Sequence, residues 1–196
     1  MMKKPIFSGK EDIKFEGKTF QIISQPWNLG AKIKNLERAR RSPGVRLIIV
    51  KNNKLLLTKE YRLELNDYDY RLPGGKVFDS LEEYKKALNS GKDMLLYAIE
   101  AAKKECLEET GLIVKKIRHF QTTQAGQSIV WDLYYFIAED FEENKNGQKL
   151  EFDEEIHPEW KTFREIRDLC LKNEIREDRS LGVIFRFFVL NKIIKF

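Results

Sequence analysis

One segment of this chain carries more structural information than the rest, and it reads Lys104-Glu105-Cys106-Leu107-Glu108-Glu109-Thr110-Gly111-Leu112. On an α-helix, Glu105, Glu108 and Glu109 are spaced i, i+3 and i+4, so their carboxylates share one face. Like charges this close destabilise a helix unless a cation neutralises them, and carboxylate oxygens are preferred ligands of hard divalent cations. The segment therefore predicts a helix that presents a metal site, with a solvated acidic face as the alternative.

The residues around this segment favour the metal site over the solvated face. Asp93 opens the helical pattern, which is predicted to run to about Thr110, and Gly111 ends it. The loop Pro73-Gly74-Gly75 precedes the helix at a point where any regular element must stop. The apolar positions of the helix recur at intervals of three and four residues and are predicted to face the core: Leu96, Ile99, Ala102 and Cys106.

Short segments with β-type patterns surround the helix and predict a sheet. They form a hairpin at residues 13–16 and 19–23, a second hairpin at 45–50 and 54–58, an extended segment at 68–72, and two strands at 113–121 and 128–138. Further helices are predicted at 80–90, where Ser80 and Glu83 suggest a capping box, and at 163–173 and 180–195. Residues 140–149 are predicted to be a polar loop. This order predicts an α/β fold, a mixed sheet with helices on both faces.

Composition limits the kind of protein. With 196 residues, 42% hydrophobic and 34% charged, the chain is long enough for one globular domain with a good core. No apolar run approaches the roughly 20 residues that span a bilayer, and the basic start is followed by Ser8 and Gly9 where a signal peptide is apolar. We therefore expect a cytoplasmic protein without a membrane partner, in which Cys106 is a buried reduced thiol and no disulfide framework exists.

Net charge does not indicate a nucleic-acid partner. The formal charge is +5 and the pI is about 9.0. Such a balance favours phosphate-rich ligands through long-range attraction. However, the basic residues are spread along the chain and interleaved with acidic ones, and no lysine or arginine stripe alternates with aromatics.

Residues 75–112 resemble the Nudix box, whose pattern is a Gly, a Glu, and then Arg-Glu-apolar-x-Glu-Glu-x-Gly-apolar. The approach at 71–77 and the helix entry at 101–105 are also similar to this family. The resemblance to the Nudix hydrolase superfamily implies an α-β-α sandwich with a mixed sheet. It divides the chain into an N-terminal β-hairpin extension at 1–42, a candidate dimerisation element, and a Nudix hydrolase domain at 43–196.

The sequence departs from the box in three respects. Lys104 stands where the pattern has Arg, Leu96 stands where it has the upstream Glu, and an insertion of about fifteen residues, centred on 80–92, lengthens the loop. In the family, the Arg and the upstream Glu hold the loop against the helix, whereas metal binding falls chiefly on the later glutamates. Lys104 is expected to pair with Glu100 instead. The departures therefore concern loop rigidity more than metal binding.

Segments 37–45, 60–62 and 173–180 resemble the ADP-ribose pyrophosphatase branch of the family. The resemblance implies a diphosphate substrate, for which guanidinium groups are suited. The residues expected to bind it are Arg41, Arg62, Arg71, Gly74, Gly75 and Trp27. For each arginine the alternative is an ordinary surface salt bridge, and for Trp27, which is predicted to stack on a base, it is packing or a dimer contact.

The activity implied is metal-assisted hydrolysis of a nucleoside diphosphate linked to another group, most simply ADP-ribose or an ADP-sugar. The products would be a nucleoside monophosphate and the phosphorylated second group. Mg²⁺, with Mn²⁺ as an alternative, is expected on Glu105, Glu108 and Glu109, with Gly74 as a further ligand. The general base is expected among residues 151–155, with Glu154 preferred.

Two alternatives remain open at this stage. One is a Nudix enzyme that acts on other nucleotides or on RNA 5′ ends. The other is a nucleotide-sugar-binding protein without turnover, suggested by Lys104 and Leu96. The N-terminal hairpin needs a surface to pack on, so we expect a homodimer, with the fold-back of the hairpin onto its own core as the alternative. Residues 80–92 are predicted to form a lid or rim.

Overall fold

The computed structural model describes residues 4–152 and 154–194. In chain order its elements are β1 (Ile6–Phe7), β2 (Asp12–Glu16), β3 (Phe20–Asn28), β4 (Ile33–Arg41), β5 (Gly44–Lys51), β6 (Lys54–Arg62), β7 (Asp67–Arg71), α1 (Leu81–Asn89), α2 (Met94–Thr110), β8 (Leu112–Gln124), β9 (Ile129–Val130), β10 (Asp132–Glu143), β11 (Ile156–Thr162), α3 (Phe163–Leu171) and α4 (Asp178–Leu190). None of the helices within these ranges is long and apolar enough to cross a membrane.

The N-terminal hairpin belongs to a larger sheet than the sequence pattern predicts. Strands β2 and β3 pair antiparallel, and the backbone closes the turn where the Gly17 amide donates to the Phe20 carbonyl at 2.9 Å. Strand β3 then continues to Asn28 and pairs with β4 along its whole length, while β1 and β9 complete the sheet in the order β1-β3-β4-β9. The extension therefore contributes four strands to a five-stranded sheet, and β9, from the second half of the chain, is the fifth.

The second sheet is mixed, as predicted, and has the order β11-β6-β5-β10-β8, with β7 beside β6. Strands β5 and β10 are parallel, and the other pairs are antiparallel. The predicted β5–β6 hairpin is confirmed: Asn52 and Asn53 both have positive φ, at 51° and 58°, which a tight two-residue turn requires. Strand β11 was not predicted because Pro158 breaks its pattern, and the strand lies at the edge of the sheet, where proline is tolerated.

Both faces of this sheet are covered by helices, which confirms the predicted sandwich. On one face, α3 and α4 pack through Ile166, Ile184 and Phe187. On the other face, α2 packs through Ala102 and Cys106 against side chains of β5. The central strand β5 contributes to both clusters and is buried on both sides, as expected for a strand between two helical layers.

Helix α2 has the predicted ends, but its buried side differs from the prediction at one position. The Asp93 side chain accepts from the Leu95 amide at 3.0 Å, and Gly111 ends the helix with φ 70°. Leu96 is 48% exposed, so its predicted place in the core is wrong. The buried stripe begins at Ala98 and continues through alanines, whose small side chains let the helix lie close to the sheet.

Two further predictions need correction. The Ser80 hydroxyl accepts from the Glu83 amide at 3.2 Å, but the Glu83 carboxylate accepts from Asp79 rather than Ser80, so α1 has half of the predicted capping box. The polar loop starts later than residue 140, because β10 continues to Glu143 and Phe141 stacks on Trp160 with a centroid separation of 6.3 Å.

Candidate functional site

A cavity of about 530 Å³ opens where the glycine loop, α2 and the ends of several strands meet. It brings together nearly all of the predicted site residues: Arg41, Arg62, Arg71, Gly74, Gly75, Glu105, Glu108, Glu109 and Glu154. Further lining residues that the sequence analysis did not select include Arg46, Glu60, Trp131 and Glu177. Residues far apart in the chain therefore share one polar cavity, which contains both carboxylate and guanidinium groups.

The glycine loop is pressed between β5 and α2. The Pro73 and Gly75 carbonyls accept from the Leu47 and Val45 amides at 2.8 and 2.9 Å. Gly74 has φ 138°, and a Cβ placed there would lie 2.2 Å from the Val45 carbonyl oxygen. Such a conformation and such an approach are open to glycine alone. The loop therefore follows the backbone of β5 closely and forms the floor of the cavity.

The carboxylates of α2 lie directly behind this loop. Glu109 is 9% exposed, and its carboxylate accepts from the Gly74 amide at 2.8 Å. Burial raises the pKa of Glu109 to about 8. Burial also raises the pKa of Glu105 to about 7, and the charges of Glu108 and Glu154 contribute to that rise. The helix face thus holds acidic groups that are difficult to ionise together without a nearby cation.

Glu108 already has a cationic neighbour. The Lys104 ammonium lies 3.2 Å from its carboxylate, on the same helix and one turn away. The predicted pairing of Lys104 with Glu100 is wrong, since Glu100 instead lies 3.7 Å from Lys103. Lys104 therefore neutralises part of the carboxylate face rather than bracing the glycine loop.

The donor chemistry of this face fits a hard divalent cation: carboxylate oxygens share one side of a helix, and two of them have raised pKa values. Within residues 4–152 and 154–194, no three His, Cys, Asp or Glu side chains are already arranged as a metal cage. Two interactions occupy carboxylate oxygens, from Lys104 to Glu108 and from Gly74 to Glu109. The Gly74 carbonyl, a predicted ligand, accepts from Arg46.

The predicted arginines differ in their partners. Arg62 donates two hydrogen bonds to the Glu60 carboxylate, at 2.8 and 2.7 Å. Arg71 donates to the fully buried Asp69 at 2.6 Å. Arg41 is half-buried and has no carboxylate partner in the described part of the chain. Of the three, Arg41 is the guanidinium that can bind an incoming anion without first breaking an ion pair.

Arg46 and Glu177 are site residues that the sequence analysis missed. Arg46 is 8% exposed and lies 3.1 Å from the Glu177 carboxylate, which in turn accepts from Ser180. Burial opposes the charge on Arg46, but Glu177 outweighs it and raises the pKa. One sequence feature could have indicated this pair: an arginine lies inside an otherwise apolar strand, and a buried charge needs a specific partner. This pair joins β5 to the start of α4.

The expected general base lies at the mouth of the cavity. Glu154 is exposed, and its carboxylate accepts from the Glu151 amide at 3.1 Å. Its charge contributes to the raised pKa of Glu105, which places it near the carboxylate face. Glu155 lies 3.2 Å from His157 instead. Asp153, also considered, lies outside the described residues.

Trp27 lies away from this cavity. It is on β3, and its ring meets Phe7 edge-on with centroids 6.0 Å apart. Within one copy of the chain as described, Trp27 does not line this cavity, and its stacking on a base stays a prediction. A second cavity of about 360 Å³ adjoins the first and shares Arg41, Lys76 and Asp79 with it. Phe20, Phe78 and Ser80 also line it, which brings the insertion to the rim of the site.

Comparison with known families matches the NUDIX domain over residues 40–181. A search among curated proteins found no match. Among solved structures, one described as the crystal structure of ADP compounds hydrolase is similar to this chain, with a TM-score of 0.71 and 18% sequence identity. The likeness covers 98% of this chain and 97% of that one. At this identity the likeness shows the fold, and it confirms the predicted fold class.

Proposed function

This chain belongs to the NUDIX family and is a Nudix hydrolase, and from that premise we propose that it cleaves the diphosphate of ADP-ribose or an ADP-sugar. Nudix hydrolases generally use divalent metal ions. The observation that carries the proposal is one cavity in which the carboxylate face of α2, the glycine loop and Arg41 meet. A diphosphate needs all of these elements together: cation ligands, a close floor and a positive side chain.

Glu105, Glu108 and Glu109 would hold Mg²⁺, with Mn²⁺ as the alternative. When bound, such a cation neutralises the diphosphate and lowers the pKa of water for attack on phosphorus. Ionised Glu105 and Glu109 are the ligand forms, so a cation would lower their raised pKa values. In this proposal Lys104 would release Glu108 to the cation, and the solvent exposure of Lys104, at 59% of its side chain, would keep the cost of breaking the i, i+4 pair low.

The other side chains bind and orient the substrate. The Arg41 guanidinium suits a phosphoryl oxygen because it has no competing carboxylate in the described residues. Gly74 and Gly75 let the diphosphate approach the backbone. Glu154 would accept the proton of the attacking water, with Glu151, which also lines the cavity, as the alternative.

ADP-ribose is the preferred substrate in this proposal for two reasons. Residues 37–45, 60–62 and 173–180 resemble the ADP-ribose pyrophosphatase branch, and the similar solved structure is described as an ADP compounds hydrolase. A panel of ADP-ribose, ADP-glucose, NADH, dinucleoside polyphosphates, nucleoside triphosphates and capped RNA tests the choice. We expect the highest kcat/KM for ADP-ribose or ADP-glucose; a higher value for triphosphates or capped RNA would overturn the assignment.

A second candidate function is binding of nucleotide sugars without hydrolysis. The observation in its favour is Lys104, whose ammonium occupies a carboxylate that the metal would need. Calorimetry combined with product analysis separates the two functions. Heat of binding without release of AMP, in the presence of Mg²⁺ or Mn²⁺, would favour the binding protein.

We also propose that the protein is a homodimer joined through the N-terminal sheet. The hairpin does contact its own chain: the Lys18 carbonyl accepts from the Leu81 amide at 2.9 Å, and Lys85 pairs with Glu16. Large apolar side chains of the sheet nevertheless remain exposed, and they are Ile6, Phe7, Ile13, Phe15, Phe20 and Ile33. An apolar surface of this kind suits a second copy of the chain. A cytoplasmic location stays a prediction.

A further inference from the structure

Two arginines contact the ring of one tryptophan in the wall of the cavity. The guanidinium carbon of Arg41 lies 4.5 Å from the centroid of Trp131, and that of Arg179 lies 4.0 Å from it. Arg41 ends β4, Trp131 lies between β9 and β10, and Arg179 is in the first turn of α4. We call these three side chains the arginine–tryptophan stack. Three distant parts of the chain are thus brought together around two positive charges.

The stack has no acidic partner of its own. The Nη1 of Arg179 donates to the Trp131 carbonyl at 3.4 Å, and neither Arg41 nor Arg179 is within ion-pair distance of a described carboxylate. Two acidic residues precede Arg179 in the sequence: Asp178 forms no ion pair with it, and Glu177 is already bound by Arg46 and Ser180. Arg41 and Trp131 line the cavity, and Arg179 reaches this wall through its contact with the Trp131 ring. The four remaining arginines that line the cavity each have a carboxylate: Arg46, Arg62, Arg71 and Arg176. The stack therefore places positive charge at this wall that no ion pair among the described residues balances.

The surroundings of the two guanidinium groups disfavour their positive charges. Burial, and then the charges of Arg179 and Arg46, lower the pKa of Arg41. Burial likewise lowers the pKa of Arg179, although the charge of Glu177 opposes this shift. Both groups remain protonated, since arginine does not lose its proton in proteins at ordinary pH. Arg179 also lies at the start of a helix, where the helix dipole disfavours a cation.

The stack lies next to the glycine loop. A Cβ placed on Gly44 would be 3.4 Å from the Nε1 of Trp131 and 3.1 Å from the Gly75 carbonyl oxygen. A Cβ placed on Gly75 would be 2.5 Å from the Glu105 carboxylate. The Trp131 Nε1 is buried and has no hydrogen-bond partner among the described residues. The indole edge and the carboxylate face thus lie on two sides of the same short piece of backbone.

We propose that the arginine–tryptophan stack binds a phosphoryl group of the substrate beside the carboxylate face of α2. The ring of Trp131 holds the two guanidiniums in place, and their planar N–H groups suit phosphate oxygens. This inference rests on the proposed function for its ligand, since a phosphoryl group is needed. The ligand is either the diphosphate itself or an additional phosphate monoester on the linked group, and both are bound through the same chemistry.

The test is binding without turnover. Calorimetry in EDTA measures the Kd of pyrophosphate, ADP-ribose and ADP-ribose carrying a 2′-phosphate for the unmodified protein and for Arg179→Met. We expect Arg179→Met to weaken binding about tenfold or more, the size of a lost hydrogen bond to a charged group. The matched control is Arg186→Met, because Arg186 is an exposed arginine of the same helix and should leave the Kd unchanged.

Salt dependence separates binding from structural support. The affinity of the unmodified protein should fall as salt rises, and this dependence should be weaker in Arg179→Met, while Arg179→Lys keeps the charge and the dependence. If Arg179→Met loses affinity only for the 2′-phosphorylated ligand, the stack binds the added phosphate monoester. If it loses affinity equally for all ligands, the stack binds the diphosphate. An Arg179→Met protein with unchanged Kd values and salt dependence would overturn the proposal.

These results are independent of the proposed hydrolysis. If no substrate is cleaved and Arg179→Met still loses phosphate affinity, phosphoryl binding by the stack is supported and the proposed hydrolysis is refuted. If ADP-ribose is cleaved and Arg179→Met has the KM and Kd of the unmodified protein, the proposed hydrolysis is supported and phosphoryl binding by the stack is refuted.

Discussion

Replacing Gly75 by alanine tests how the glycine loop positions the carboxylate face. The added Cβ would lie 2.5 Å from both carboxylate oxygens of Glu105. An ordinary contact is roughly 3.4 Å or more, so the carboxylate must move by about 1 Å. Glu105 is half-buried and its side chain is flexible, so the free energy of unfolding should fall by only about 1 kcal/mol. A reacting or liganding group displaced by about 1 Å can cost about 100-fold in rate. We therefore expect Gly75→Ala to lower kcat strongly and stability weakly.

Gly74→Ala is the matched control. Its Cβ would lie 2.2 Å from the Val45 carbonyl oxygen, which is fixed in a central strand, and φ is 138°. This variant should lose about 3 kcal/mol of stability or more. Urea unfolding, kcat with ADP-ribose and calorimetric metal affinity are measured on both variants. A Gly75→Ala protein with unchanged kcat and metal affinity would show that Glu105 is not held by the loop in a catalytic position.

Three further outcomes are expected. First, the folded-state pKa values of Glu105 and Glu109, about 7 and about 8, lie above the ordinary value of 4.5. Their contribution to the stability of the metal-free protein is therefore present at acidic pH and lost as pH rises through 7 to 8. Since a cation binds the ionised form, the gain in Tm from Mg²⁺ should grow from pH 6 to pH 8, and a gain independent of pH would contradict the assignment. Second, deleting residues 80–92 and rejoining the chain should alter KM or substrate preference, because the insertion borders the second cavity. Unchanged kinetics with an unchanged Tm would show that the insertion has no role at the site. Third, light scattering should give twice the single-chain mass of 23.2 kDa. Removal of residues 1–24 should then lower both assembly and substrate affinity, whereas a single-chain mass would exclude the dimer.

Local patterns predicted the elements whose cause is local. The ends of α2 follow from Asp93 and Gly111, because a side-chain cap and a left-handed glycine act within one turn. The β5–β6 hairpin follows from Asn52 and Asn53 for the same reason. The common cavity of the glutamates and glycine loop could be expected because the Nudix pattern specifies both. The prediction that Leu96 lies in the core was wrong because periodicity alone does not show where a helix moves away from the sheet.

The parts that could not be predicted depend on contacts between distant residues. Arg46 and Glu177 are 131 positions apart, and no periodic pattern connects them. The meeting of Trp131 with two arginines likewise requires the paths of β4 and α4 to be known. Strand β11 was missed because it is specified by its partner β6 and contains a proline. Sequence therefore indicated the chemistry of the site, and the tertiary structure supplied the charge balance of its walls.

We propose above that the carboxylate face of α2 supports metal-dependent hydrolysis of a diphosphate. The most direct measurement is product analysis of ADP-ribose incubated with the protein and Mg²⁺ or Mn²⁺, repeated with Glu108→Gln and Glu109→Gln. We expect AMP and ribose 5-phosphate with the unmodified protein, neither product in EDTA, and a kcat lower by orders of magnitude in both folded variants. Near-normal turnover in either variant, or AMP release at the same rate in EDTA, would contradict it.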